Sequence, residues 1–450
     1  MKDVLKSIDI NTNANKSILS TIKKTATLSN GVLNGIIGDF LDKDKNGLSV
    51  QMQWYANEKP LNITKENIFQ THQTITSKIC ILIHGLTNDE TIWNFPNTNK
   101  ENYGTFLQKD LNFTPFYVRY NTGLHISENG KQFSQLIQTL VDNYPFEIDE
   151  ISIIAHSMGG LVTRSACYYA PLQNANWTNK ITKLFFIGTP HLGAPLEKFG
   201  NAFTFLLKNI PVSYANVAGD IINLRSAGIK DLRYGYLTDD DWKNNHPDEL
   251  LKNNKTVIPL LDDVEYFLIS GTLTSNPNHV VSEWFGDVLV RKNSATGQSK
   301  GKHHLSFNLN NHKEFAGLAH LKLVDSMEVY KQIKIWISKK STHKKTNQPK
   351  INNTAIPYNE DYFPKENSIK KDKLSSFIKL TTTGLIGSID KLESIQKNNI
   401  TYSILNQIPV VNVFSKEMEN IQKSITNTIL FSTKKIVKNS NEILENKFNF

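Results

Sequence analysis

The chain has 450 residues, 39% of them hydrophobic, with 12 histidines, two cysteines and a formal charge of +9. That length suits one large domain with appended segments, and two cysteines exclude a disulfide framework. No Cys/His cluster has metal-ligand spacing and no glycine-rich loop suits a phosphate, so no cofactor and no metal is expected. The lysine excess is spread through generally Lys-, Asn- and Ile-rich sequence without interleaved aromatics, which points away from nucleic acid as a partner.

The N-terminus lacks an apolar run followed by a small-residue cleavage site, so no signal peptide is read there. No stretch approaches the roughly 20 apolar residues that span a bilayer. The expectation is a cytoplasmic protein, with peripheral membrane association or export without a cleaved signal left open. Residues 1–45 read as a helical N-terminal extension, with Ile18, Ile22, Leu33, Ile36 and Phe40 at helical spacing. Leu48 to Trp54 alternates apolar and polar residues like a half-buried strand and opens the main domain, assigned to 46–338.

Ile79 to Ile83 is a continuous apolar run, the pattern of a strand buried on both faces. His84 and Gly85 then open a turn in which Gly85 supplies backbone freedom to aim the next N–H inward. Ile151, Ile153 and Ile154 form a second such strand. It runs into Ala155, His156, Ser157, Met158, Gly159 and Gly160, and then into a helix. Small residues two before and two after Ser157 are what a sharp strand-to-helix turn with an exposed hydroxyl requires, and this is the nucleophile-elbow pattern. The backbone N–H groups of Leu86 and Met158 are the expected oxyanion donors, and His84 is read as a structural hydrogen-bonding residue of its loop.

Residues from about 193 to 261 read as an insertion between sheet strands. Glu265 to Gly271 is the next buried strand, and Asp262 and Asp263 precede it, at its wrong end for catalysis. Asp287 stands in a Gly-Asp turn before an apolar run and is the expected acid. Four later histidines could serve as the base. His320 is preferred because it precedes an amphipathic segment carrying Leu323, Met327, Tyr330, Ile333 and Ile337. His312 is the alternative, and His303 and His304 read as solvated loop residues. Cys80 and Cys167 read as reduced core residues. Residues 339–372 read as a polar linker with Pro349, Pro357 and Pro364. Residues 373–450 read as helical, with Met418, Ile421, Ile425, Ile429, Ile436 and Ile443 on one face. Packing against the rest of the chain is the simpler role for that region. Lys423, Lys434, Lys435 and Lys438 beside the face leave peripheral membrane contact open.

Taken together, these segments resemble lipase/esterase-type α/β-hydrolases. More narrowly, the chain is similar to bacterial proteins related to the GPI inositol-deacylase and other serine esterases. The matching stretches are His84–Leu86, Val118–Gly123, Ala155–Gly160, Gly188–Pro195, Arg225–Leu232, Gly286–Val290 and His320–Leu321. Val288 departs from the Gly-Asp-Gly turn that such proteins often carry. The resemblance implies a mostly parallel central sheet with helices on both faces, extended by helical N- and C-terminal regions. It implies a Ser157–His320–Asp287 acyl-enzyme mechanism on a carboxylic, lipid-like ester, a loop around Gly188–Gly193 that lines the site, and a cap or lid in the insertion at about 193–261. An amidase or peptidase using the same triad, and a non-catalytic binding or scaffold protein on the same fold, are the alternatives.

Overall fold

The computed structural model describes residues 30–45, 47–72, 74–194, 226–243, 255–272, 290–299 and 301–339. The Asp287 turn, most of the insertion, the linker and the whole C-terminal region lie outside these residues.

An eight-stranded sheet forms the centre, in the order β2-β1-β4-β3-β5-β6-β7-β8. Its strands are β1 (Gln53–Ala56), β2 (Lys59–Leu61), β3 (Lys78–Ile83), β4 (Thr114–Arg119), β5 (Glu150–His156), β6 (Ile181–Ile187), β7 (Glu265–Gly271) and β8 (His312–Phe315). β1 is antiparallel to both β2 and β4, and every pairing from β4 to β8 is parallel. The expected strand at Leu48–Trp54 is thus realised only from Gln53. Its alternation nevertheless holds in burial, because Val50, Met52 and Trp54 face inward.

Side chains of a strand alternate between its two faces, and here each parity enters a different core. Ile79, Ile81, Ile83, Ile151, Ile153, Leu184 and Phe186 pack on one side. There they meet α4 (Ile126–Asn143) and α5 (Met158–Leu172). Cys80, Leu82, Ile154, Phe185, Ile187, Phe267 and Ile269 pack on the other. That side is covered by α3 (Tyr103–Leu111) and α9 (Met327–Ser338). The remaining described helices are α1 (Asn30–Lys43), α2 (Lys65–Thr71), α6 (Ala227–Tyr234), α7 (Asp239–Lys243) and α8 (Lys292–Ala295). A mostly parallel sheet between two helical layers, with a strand-turn-helix elbow at the end of β5, is the α/β-hydrolase fold.

The last helix differs from its sequence reading in one respect. His320–Leu323 is a separate 3-10 turn, and α9 starts only at Met327. Leu323, Tyr330, Ile333 and Ile337 are buried as a stripe, whereas Met327 is 40% exposed because it occupies the first turn, beyond the packed face. Both cysteines are free and buried. Burial pushes the Cys167 thiol up to about 12 and the Cys80 thiol higher still, so both are inert core residues.

Candidate functional site

One residue, Ser157, separates the end of β5 from the start of α5. Its φ of 53° and ψ of −122° hold a residue with a Cβ in a conformation favoured by glycine. Such strain costs about 1–3 kcal/mol and persists only where the surroundings fix it. Here the Ser157 N–H donates to the Ile187 carbonyl at 2.8 Å, and the Gly160 N–H donates to the Ser157 carbonyl at 3.0 Å. The following glycines bring the helix against its neighbours. A Cβ on Gly159 would stand 2.5 Å from the His84 carbonyl oxygen and 2.7 Å from that of Ile83, and one on Gly160 would collide with the Thr189 side chain.

The loop after β3 faces this turn. Gly85 is not in the left-handed region. It is glycine because a Cβ there would meet the Ser157 Cβ at 2.8 Å, and the positive φ, 63°, falls instead on Thr87. The Leu86 carbonyl accepts from Thr87 Oγ1 at 2.7 Å and from Asn88 Nδ2 at 2.9 Å. The Thr87 N–H donates to Thr122 Oγ1 at 3.1 Å, which ties this loop to the one after β4. Met158 is the first residue of α5. Its N–H belongs to the first turn, where a helix provides no internal acceptor and carries its positive dipole end.

His320 is 3% exposed and follows the carboxyl end of β8, at the same rim of the sheet as Ser157. Its ring lies 4.8 Å from that of His156, the residue immediately before Ser157. His312 is placed differently. It opens β8, pairs in register with Leu268 midway along β7, and sits 2.8 Å through Nε2 from Ser270 Oγ. Burial lowers its pKa to about 4. Asp287 lies outside the described residues. His304 is exposed, but His303 is half-buried and lines a small cavity with Arg164 and His191, so only one of the pair is a solvated loop residue.

His84 stacks on Tyr120 at 4.5 Å, and the Tyr120 hydroxyl donates to the His84 carbonyl at 2.9 Å. Burial takes the His84 pKa down to about 4. His191 belongs to the Gly188–Gly193 loop. It is 1% exposed, with its ring 4.7 Å from that of Phe186 and 4.9 Å from that of Phe307, so it anchors the loop from within the core. His156 escaped the sequence reading altogether. It is fully buried, and burial, followed by the proximity of His320, holds its pKa well below the ordinary histidine value. Nothing in its local sequence separates it from any other elbow residue, since its neighbours His320 and Trp93 come from distant segments. Among the described residues no three His, Cys, Asp or Glu side chains converge as a metal site. No described helix is long and apolar enough to cross a membrane.

The buried neutral histidines give a pH prediction. His84, His156, His191 and His312 all have folded pKa values depressed below 6.5, chiefly by burial. The unfolded chain therefore takes up protons below about pH 6.5 that the folded chain refuses until well below that pH, near pH 4 for His84 and His312. Stability is full above pH 6.5 and falls as pH drops, by up to about 1.4 kcal/mol per pH unit for each such histidine. Urea midpoints measured at pH 7.5 and 5.5 should fall steeply toward acid, and equal midpoints would contradict these assignments.

Comparison with known proteins adds to this geometry. Residues 73–267 match the family described as "Putative serine esterase (DUF676)". No curated protein sequence matches the chain significantly. Among solved structures, the mature lipase of Bacillus licheniformis is 16% identical, covering 65% of this chain and 97% of that one, with a TM-score of 0.37. A lipase-esterase related protein of Clostridium acetobutylicum is 13% identical, covering 64% and 99%, with a TM-score of 0.29. Lipase B of Aspergillus fumigatus is 8% identical, covering 72% and 68%, with a TM-score of 0.36. The strand order and the elbow carry the fold. The chain has the α/β-hydrolase fold, and its residues 73–267 are similar to the putative serine esterase family.

Proposed function

We propose that this chain hydrolyses carboxylic esters with a lipophilic acyl group, using Ser157 as nucleophile, His320 as base and Asp287 as the acid that orients it. The observation that carries the reading is the strained Ser157 elbow pressed against Gly85 of the loop after β3. Strain of this kind is characteristic of functional turns, and the contact sets the Leu86 loop beside the serine. Ser157 Oγ attacks the carbonyl carbon as its proton passes to His320, and the oxyanion is held by the Leu86 and Met158 N–H groups. His320 then gives the proton to the departing alkoxide, leaving an acyl-serine. Water attacks that ester with His320 again as base, the carboxylic acid leaves and Ser157 is restored.

The lipid-like substrate is supported by the family's esterase character and by the insertion that follows the Gly188–Gly193 loop. A domain of residues 46–338 with helical extensions, acting from the cytoplasm or at a membrane surface, completes the reading. A panel of p-nitrophenyl esters from acetyl to palmitoyl, run with and without anionic phospholipid vesicles, tests it. Because one methylene is worth about 1–3 kcal/mol in an apolar pocket, turnover should rise progressively with acyl length. Activity confined to acetyl esters would remove the lipophilic acyl group from the proposal. No turnover of any ester would favour a binding or scaffold protein.

A further inference from the structure

We propose, on the basis of the esterase reading, that α1 is a positioning element that holds the Leu86 oxyanion loop in place from outside the sheet. Helix α1 precedes the first strand, and its Gly31, Gly35 and Gly38 face the loops that follow β3 and β4. A Cβ on Gly31 would stand 2.8 Å from the Asn88 carbonyl oxygen. One on Gly35 would stand 2.5 Å from Thr87 Cγ2, 3.0 Å from its Cα and 3.1 Å from its nitrogen, and one on Gly38 would collide with the Asn121 side chain. The contact is reciprocal, because a Cβ on Gly123 would run into the Asn34 carbonyl oxygen and stand 2.7 Å from the Gly38 nitrogen. Three glycines on either side of a kink at Ile37 thus let α1 lie close against the two crossover loops.

Hydrogen bonds fix the helix in that seat. Asn121 Nδ2 donates to the Gly38 carbonyl at 2.9 Å, Ser226 Oγ donates to the Gly35 carbonyl at 2.7 Å, and the Ala227 N–H donates to Asp39 Oδ2 at 3.0 Å. The helix's own Ile36, Ile37 and Leu41 side chains are buried. The helix therefore clamps α6 and both loops together. Thr87, the residue it presses, carries a positive φ and donates through Oγ1 to the Leu86 carbonyl. Left unsupported, a strained turn of this kind would relax, and the Leu86 N–H would lose its aim. α6 extends the clamp to the second donor, since a Cβ on Gly228 would stand 2.9 Å from Met158 Cε.

Gly35→Ala in the full chain is the test. Alanine favours helix over glycine, so α1 itself gains, and any loss of function comes from the displaced Thr87. With p-nitrophenyl butyrate, kcat should fall about 10- to 100-fold while KM changes less than about 3-fold, as a small misplacement of an oxyanion donor predicts. Adding Thr87→Ser removes the Cγ2 that is struck and keeps the Oγ1 that bonds Leu86, and it should recover several-fold of the lost kcat. Lys43→Gln, exposed in the last turn of the same helix, should leave kcat unchanged. Amide hydrogen exchange at residues 86–88 should accelerate in Gly35→Ala. Should that variant fail to fold, Gly31→Ala, which presses the Asn88 carbonyl, takes its place with the same expectations. An unchanged kcat in a folded variant, no recovery in the double variant, or unchanged exchange at 86–88 would overturn the proposal. A wild-type chain that turns over no ester removes the esterase reading, and the exchange result then still decides separately whether α1 holds the loop.

Discussion

Replacing Ser157 with alanine is expected to lower kcat/KM for p-nitrophenyl butyrate by about 10⁴-fold or more, the scale on which serine hydrolases lose activity without their nucleophile. The substitution keeps the Cβ, so the contact with Gly85 and the positive φ of the elbow both survive. The two backbone hydrogen bonds that hold the turn also survive, because they use the Ser157 N–H and carbonyl and not the hydroxyl. Stability should therefore stay within about 0.5 kcal/mol of wild type, as for a substitution that opens no cavity and breaks no buried network. Loss of activity together with loss of fold would mean that the hydroxyl serves the turn and not the reaction. Unchanged activity would remove Ser157 from the mechanism.

The second large effect separates the two late histidines. His320→Ala is expected to lower kcat by about 10³-fold or more, since without the base the serine hydroxyl remains a weak nucleophile. His312→Ala should change kcat less than about 10-fold and instead cost roughly 1–3 kcal/mol of stability, because Ser270 Oγ loses its partner inside the sheet. The contrast follows from placement. His320 lies beyond the carboxyl end of β8 with its ring against that of His156, whereas His312 lies within β8 opposite the middle of β7. Steady-state kinetics and urea unfolding of both variants measure it. A His312→Ala enzyme that is inactive but fully stable would reverse the assignment.

How much of this was legible beforehand depended on whether a feature was local in sequence. β3 announces itself as an unbroken apolar run, and β5 as one broken only by Ser152, because both faces are covered by helices. The elbow was legible because steric demands confine small residues to fixed offsets from Ser157. Gly85 is legible in sequence only as a turn glycine. A backbone torsion can be guessed from a glycine, but the approach of the Ser157 Cβ across two loops cannot. His191 and His156 were invisible as core residues for a similar cause, since the rings that bury them come from distant segments. The role of α1 had a signal that went unread. Gly31, Gly35 and Gly38 recur at steps of four and three, a spacing that marks a close approach, but only the fold shows the kink at Ile37 and the loops after β3 and β4 that they approach.

The most direct measurement of the central claim is the site of covalent capture by a fluorophosphonate, read by intact mass and peptide mapping of the full chain. A single adduct on the peptide carrying Ser157, absent from Ser157→Ala and greatly slowed in His320→Ala, is the result expected of a serine esterase built on this elbow. An adduct on another residue, or labelling that persists unchanged in Ser157→Ala, would contradict it.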